Sequence, residues 1–182
     1  MVCPRNVQGR RWVCTHYCVL SRENVAVSNM LLELIRVEFA LRLDGIHGIA
    51  HWARVCENGL RLAERTGGDP EVVELFAYLH DSQRLNDGWD LEHGHRAAEF
   101  VRRLQGWHLD LSAENLELLA TACAHHSDGL IEADVTIQTC WDADRLDLGR
   151  IGIEPDPRYL CTFAAKDAVM IEWAVRRSQR VP

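Results

Sequence analysis

An all-α, single-domain fold is predicted by three features of the sequence. From Met30 onward apolar residues recur at three- and four-residue intervals, Gly and Asx residues close the runs, and the one clear period-two alternation (Val13, Thr15, Tyr17, Val19) falls ahead of them. The chain has 182 residues with 47% apolar content, which suits one core of ordinary size and is too short to argue for two. We therefore expect a compact domain of about six to seven helices over residues 30–182, preceded by an appendage over 1–29.

The first helix is predicted from Leu31, Leu32, Leu34, Ile35 and Phe39, and Asp44-Gly45 stops it. A second runs from about His47 to Thr66 and ends at Gly67-Gly68. Asp69 then supplies an N-cap and Pro70 the first position of a third helix, which ends in His80-Asp81. Residues 85–90 form a polar loop. A fourth helix continues to about Leu104, and Ser112 opens a fifth that reaches His125-His126 before Ser127-Asp128-Gly129. The sixth spans roughly Ala133 to Leu148, and after Pro155 and Pro157 a last helix runs to about Ser178. No internal repeat or low-complexity tract interrupts this order.

The formal charge of -7 disfavours non-specific binding to nucleic acid or to anionic membrane, both of which need a cationic face. Seven scattered Cys look like reduced core thiols and predict a reducing, cytoplasmic setting. No apolar run is long enough for a membrane helix or a secretory signal. Cys14, His16 and Cys18 lack the second Cys/His pair that a zinc finger requires.

Chemistry concentrates elsewhere. The segment Leu75 to Arg84 is apolar until it reaches His80-Asp81, and an ionised carboxylate buried beside an imidazole needs a cation or hydrogen bonds to compensate it. His51 lines up with Val55 and Leu62 on the inner face of its helix, so His51, His80 and Asp81 offer the nitrogen and oxygen donors that a first-row divalent metal prefers. His93 leads the stripe Ala97, Phe100, Val101 and Leu104, whereas His95 projects with Glu99 and Arg102 toward water. On the fifth helix His125 is read as continuing the line of Leu118, Thr121 and Ala122, which makes it the inward residue and His126 the weaker candidate.

His51-Trp-Ala-Arg-Val55, His80-Asp81, His93 before Ala97-Ala98, His125-His126 and Asp142-Ala-Asp-Arg-Leu-Asp-Leu148 together resemble the HD-domain metal-dependent phosphohydrolase superfamily over residues 45–150. The resemblance implies that His51, His80, Asp81 and a later Asp hold a divalent ion (Mn, Co, Ni, Fe, Zn or Mg), with His93 and His125 available for a second. It implies Asp81, Arg84 and Arg145 as catalytic residues, the two arginines near a phosphate, with His47 and Glu92 as lesser candidates for proton transfer. The implied substrate is a small phosphorylated metabolite, a nucleotide above all; a homodimer is left open, and a di-iron oxygenase using the same ligands is the alternative. The Gly-Tyr-Pro element of the cyclic-dinucleotide phosphodiesterases is missing.

Of the two aspartates on the sixth helix only one can face an ion, because residues two apart project about 200° from each other. Asp144 shares its face with Ile137, Cys140, Trp141 and Leu148, while Asp142 keeps company with Gln138, Thr139 and Arg145, read as the wetter set. Asp144 is therefore the expected ligand.

Overall fold

The protein is described here by a computed structural model covering residues 27–179. Residues 1–26, which include most of the expected appendage and the Cys14, His16 and Cys18 group, lie outside the described residues. Among the described residues eight α-helices follow one another: α1 Asn29–Glu38, α2 Ile49–Thr66, α3 Pro70–Leu79, α4 His93–Leu104, α5 Ala113–His125, α6 Val135–Arg145, α7 Phe163–Lys166 and α8 Ala168–Ser178. No strand is present among the described residues, and no described helix is long and apolar enough to cross a membrane.

The helix count exceeds the expected six to seven because the C-terminal stretch breaks into pieces. Pro157 opens a short 3-10 turn, and two consecutive caps, Thr162 on Ala165 N and Asp167 on Val169 N, each start a new helix, at Phe163 and at Ala168. At the other end Ser28 caps α1 through Leu31 N, and Val27 before it is already buried, so packing begins slightly ahead of Met30.

Helix α3 is the core of the bundle. It is apolar on nearly every side, and Val72, Val73, Leu75, Phe76, Ala77 and Leu79 are all buried against α2, α5 and α6. Asp69 starts it by accepting from Glu71 N and Val72 N, with Pro70 in the first turn. Helix α2 crosses α3 and α6 closely at Gly59, where an added Cβ would sit 2.5 Å from Val73 Cγ1. A second apolar cluster, built from Leu62, Leu146, Leu160, Met170 and Ala174 among others, binds the C-terminal helices to the back of α2.

Candidate metal centre

Five helix ends converge on one point of this bundle. His51 lies in the first turn of α2, His80 and Asp81 follow α3, His93 begins α4, His126 follows α5, and Asp144 lies in the last turn of α6. His51, His80, Asp81, His93 and His126 are buried. Their donor atoms fall into three overlapping groups (His51, His80 and Asp81; His80, His126 and Asp144; Asp81, His93 and His126), within each of which the atoms lie within 4.8 Å of one another.

Each ring is fixed by the nitrogen that faces away from the cluster. His80 Nδ1 donates to Phe76 O at 3.1 Å, His126 Nδ1 to Cys123 O at 2.7 Å, and His93 Nδ1 to Asp90 O. His51 Nδ1 meets Asp147 Oδ2 at 2.7 Å. A carbonyl can only accept, so Nδ1 carries the proton and Nε2 presents a lone pair inward. Asp81 stands between the rings: Oδ2 is 3.6 Å from His51 Nε2 and 3.7 Å from His80 Nε2, while Oδ1 is 3.4 Å from His93 Nε2 and 3.6 Å from His126 Nε2. Asp144 Oδ1 lies 3.4 Å from His51 Nε2 and 3.8 Å from His80 Nε2.

The arrangement fits divalent metal. Donors about 2.1 Å from one ion, at tetrahedral or octahedral angles, stand about 3.0–3.4 Å apart, close to the separations seen. Asp144 Oδ1 is buried with no hydrogen-bond partner, which is costly for a carboxylate unless a cation serves it. Burial pushes the pKa of His80 down to about 3 against the pull of Asp81 and Asp144, which keeps its ring neutral and its lone pair available. Burial also lowers His51 and His93. Asp81 is held well below the ordinary carboxylate range although its burial works the other way, because the surrounding histidines favour its ionised form.

A family model for the HD domain matches residues 48–164, a span that contains every one of these donors. The chain belongs to the HD-domain family. Among solved structures, a predicted HD superfamily hydrolase from an uncultured Thermotogales bacterium is similar to it, with a TM-score of 0.62 and 25% identity over 80% of this chain and 83% of that one. No match was found among curated proteins. As an HD-superfamily chain with this cluster, the protein has the features of a metal-dependent hydrolase.

The HD centre brings together His51, His80, Asp81, His93 and Asp144 as the sequence suggested, but not His125. That side chain is 38% exposed and bonds Asp128 Oδ2 at 2.8 Å, while His126 occupies the inner position. The buried stripe of α5 is Leu119, Ala122, Cys123 and then His126, one residue out of phase with the line read through Leu118. Leu118 is only partly buried, so it misdirected the phase.

Arg145 is also misplaced by the sequence reading. Its guanidinium is buried and donates to Tyr159 O at 2.8 Å and Leu130 O at 2.7 Å, with Cys161 Sγ at 3.3 Å, so it ties two loops together instead of facing a phosphate. Asp142 is not on a wet face either. It is fully buried and accepts from Cys161 N, Thr162 N and Thr162 Oγ1 at 2.7–2.8 Å, which leaves Asp144 as the aspartate turned toward the HD centre. Arg84 remains close: its Nε is 3.2 Å from Asp81 Oδ1. His47 is buried, with Nδ1 2.7 Å from Asp81 Oδ2, while Glu92 is exposed.

Several contacts behind the donors had no obvious sequence signal. Asp147, Arg54, Asp90 and Arg96 form carboxylate–guanidinium pairs at the back of the cluster. The only hint was spacing: Arg54 follows His51 by three residues, Asp147 follows Asp144 by three, and Arg96 follows His93 by three.

Proposed function

We propose that this chain is a metal-dependent phosphohydrolase acting on a small phosphorylated metabolite, with a nucleotide as the leading substrate class. The observation that carries the reading is Arg84. Its Nε and Nη1 are buried without a hydrogen bond: Nε lies in an ion pair 3.2 Å from Asp81 Oδ1, beside the donor cluster, and Nη1 is left over. A guanidinium with unused buried donors is costly, and phosphoryl oxygens match its planar fork. In a chain of net charge -7, this local cation supplies what the overall surface does not.

His51, His80, Asp81 and Asp144 would hold one ion, and His93 and His126, with the other oxygen of Asp81, a second. Bound there, divalent ions supply an acidified water and neutralise charge on the phosphoryl oxygens. The chain's own residues set the geometry. Asp81 directs one oxygen to each histidine pair, and the Nδ1 proton of His47, donated to Oδ2, keeps that carboxylate from rotating. The Nδ1 bonds fix each ring in the tautomer that faces inward. Arg84 orients the substrate's phosphate beside Asp81 and offsets its charge. Four free cysteines among the described residues, at positions 56, 123, 140 and 161, suit the reducing cytoplasm in which we place the protein.

The test is phosphate release from a panel of nucleotides and sugar phosphates with Mn²⁺, Co²⁺, Ni²⁺ and Mg²⁺, with metal content measured on the same preparation. Metal-dependent release that falls in Arg84→Ala supports the reading. An iron pair with dioxygen consumption and no phosphate release would instead establish the oxygenase that the same donors could serve.

A further inference from the structure

Behind each half of the centre stands a carboxylate–arginine pair that contributes no inward donor. On the His51 side, Arg54 Nε donates to Asp147 Oδ1 at 2.6 Å and Arg54 Nη2 to Asp147 Oδ2 at 3.0 Å, while the same Oδ2 takes His51 Nδ1 at 2.7 Å. Asp147 is 1% exposed, and its fork-to-fork contact with Arg54 leaves it one orientation. The pair joins the first two turns of α2 to Asp147, two residues beyond α6, and so to Asp144 three residues earlier.

On the His93 side the brace is built differently. Asp90 O takes His93 Nδ1, and the Asp90 carboxylate accepts from Leu85 N at 2.9 Å and from Arg96 Nη2 at 2.6 Å. Arg96 also holds Gln83 O through Nε at 3.1 Å and Nη2 at 2.9 Å. The loop from Gln83 to Asp90 is thus clamped onto α4, and with it the carbonyl that orients His93.

We propose that Arg54–Asp147 and Arg96–Asp90 are two separate positioning braces, the first governing the ion held through His51 and the second the ion held through His93. The inference rests on the metal-centre reading above. The two braces share no residue, and each acts on a ring that belongs to one half of the cluster only. His80 and His126 have no such support: their Nδ1 atoms go to main-chain carbonyls inside helices α3 and α5, which already hold them. Braces occur where the ligand lies at a helix start, in the first turn of α2 or at the first residue of α4, so that its ring bonds a group outside its own helix: the Asp147 carboxylate for His51 and the Asp90 carbonyl for His93.

The experiment is a Co²⁺ titration of metal-stripped protein, followed by absorption and by equilibrium dialysis, in the wild type, Arg54→Gln, Asp147→Asn and Arg96→Gln, with the melting temperature of each metal-free form. In the wild type, two classes of Co²⁺ are expected. Arg54→Gln and Asp147→Asn should weaken the tighter class by about 10- to 100-fold, and Arg96→Gln should weaken the looser class by about as much while leaving the tighter one in place. A general loss of stability would move both classes together and would not follow this crossed pattern. Wild-type titrations in all three variants, or equal shifts of both classes in each, overturn the proposal. Absence of Co²⁺ binding in the wild type would instead overturn the metal-centre reading itself. If Asp147→Asn does not fold, Arg54→Gln and Arg54→Lys carry the same test, the lysine restoring part of the loss.

Discussion

His93 Nε2 and His126 Nε2 face each other at 2.8 Å, while the Nδ1 of each ring is donated to a main-chain carbonyl. Two neutral imidazoles in these tautomers point lone pairs at one another, and only a shared cation, either a proton or a metal ion, makes the contact favourable. In the two-ion reading proposed above, this pair marks where the second ion would be held, and His126, not His125, faces it. His126→Ala should lose the more weakly held metal and most activity, whereas His125→Ala, which removes only a part-exposed contact with Asp128, should retain both within a few-fold. Metal content and kcat of the two variants check this; the reverse pattern would exchange the roles.

The same contact predicts a pH dependence. Burial works to lower the pKa of His126, but the hydrogen bond and the charge of Asp81 outweigh it and raise that pKa above its ordinary value. A raised pKa means that metal-stripped protein keeps a proton on this ring to higher pH than a free imidazole would, and the proton must leave before Nε2 can bind metal. Affinity for the second ion should thus fall as pH drops through that raised pKa, by about tenfold per unit below it, and level off above. Metal titrations between acid and mildly basic pH decide the matter; a flat profile, or tighter binding in acid, would contradict it.

The approach of His93 to His126 depends on Gly94. A Cβ there would lie 2.6 Å from Cys123 O and 2.7 Å from Ala124 O, the last-turn carbonyls of α5, which cannot yield without moving the helix. Gly94→Ala should destabilise the protein by about 1–3 kcal/mol and weaken the second ion by parting the two rings. Thermal unfolding and metal titration of this variant measure both effects, and unchanged metal binding would show that the helix contact does not set the ring separation.

Asp142 and Asp144 should separate stability from metal binding. Asp144→Asn removes a carboxylate whose Oδ1 has no protein partner, so it should lose metal and activity with little loss of stability in the metal-free form. Asp142→Asn disturbs an oxygen pair that receives Cys161 N, Thr162 N and Thr162 Oγ1, and should cost about 1–3 kcal/mol while leaving metal content near normal. Metal loss in Asp142→Asn alone would reverse the assignment.

What could be read from the sequence follows from the range of each interaction. Helix starts and stops were legible because caps are local: Asp69-Pro70 and Gly67 act within a few residues of themselves. His51, His80 and Asp81 were legible because each lies on or next to an apolar stripe of clear phase, whereas helix α6 is buried on nearly every side, Thr139 and Asp142 included, so its apolar stripe alone did not distinguish Asp144 from Asp142. Helix α5 was harder, since Leu116 and Leu118 are only partly buried and blur its inner face; the small residues Ala122 and Cys123 mark the true one. Arg145 was misread because its carbonyl partners Leu130 and Tyr159 lie on loops whose paths no periodicity describes. Asp142 was misread for a related reason: a buried carboxylate looks polar in a sequence, and its donors come from 19 and 20 residues away. The pairing of Arg54 with Asp147 spans 93 residues, beyond any local signal.

The most direct measurement is the metal content of the wild type, purified without added metal, beside that of Asp81→Ala. Asp81 turns one oxygen to each histidine pair, so its removal takes a donor from both ions at once. A two-ion centre predicts a pair of first-row divalent ions in the wild type and loss of both, with loss of turnover, in Asp81→Ala. Metal content equal to that of the wild type in Asp81→Ala would contradict it.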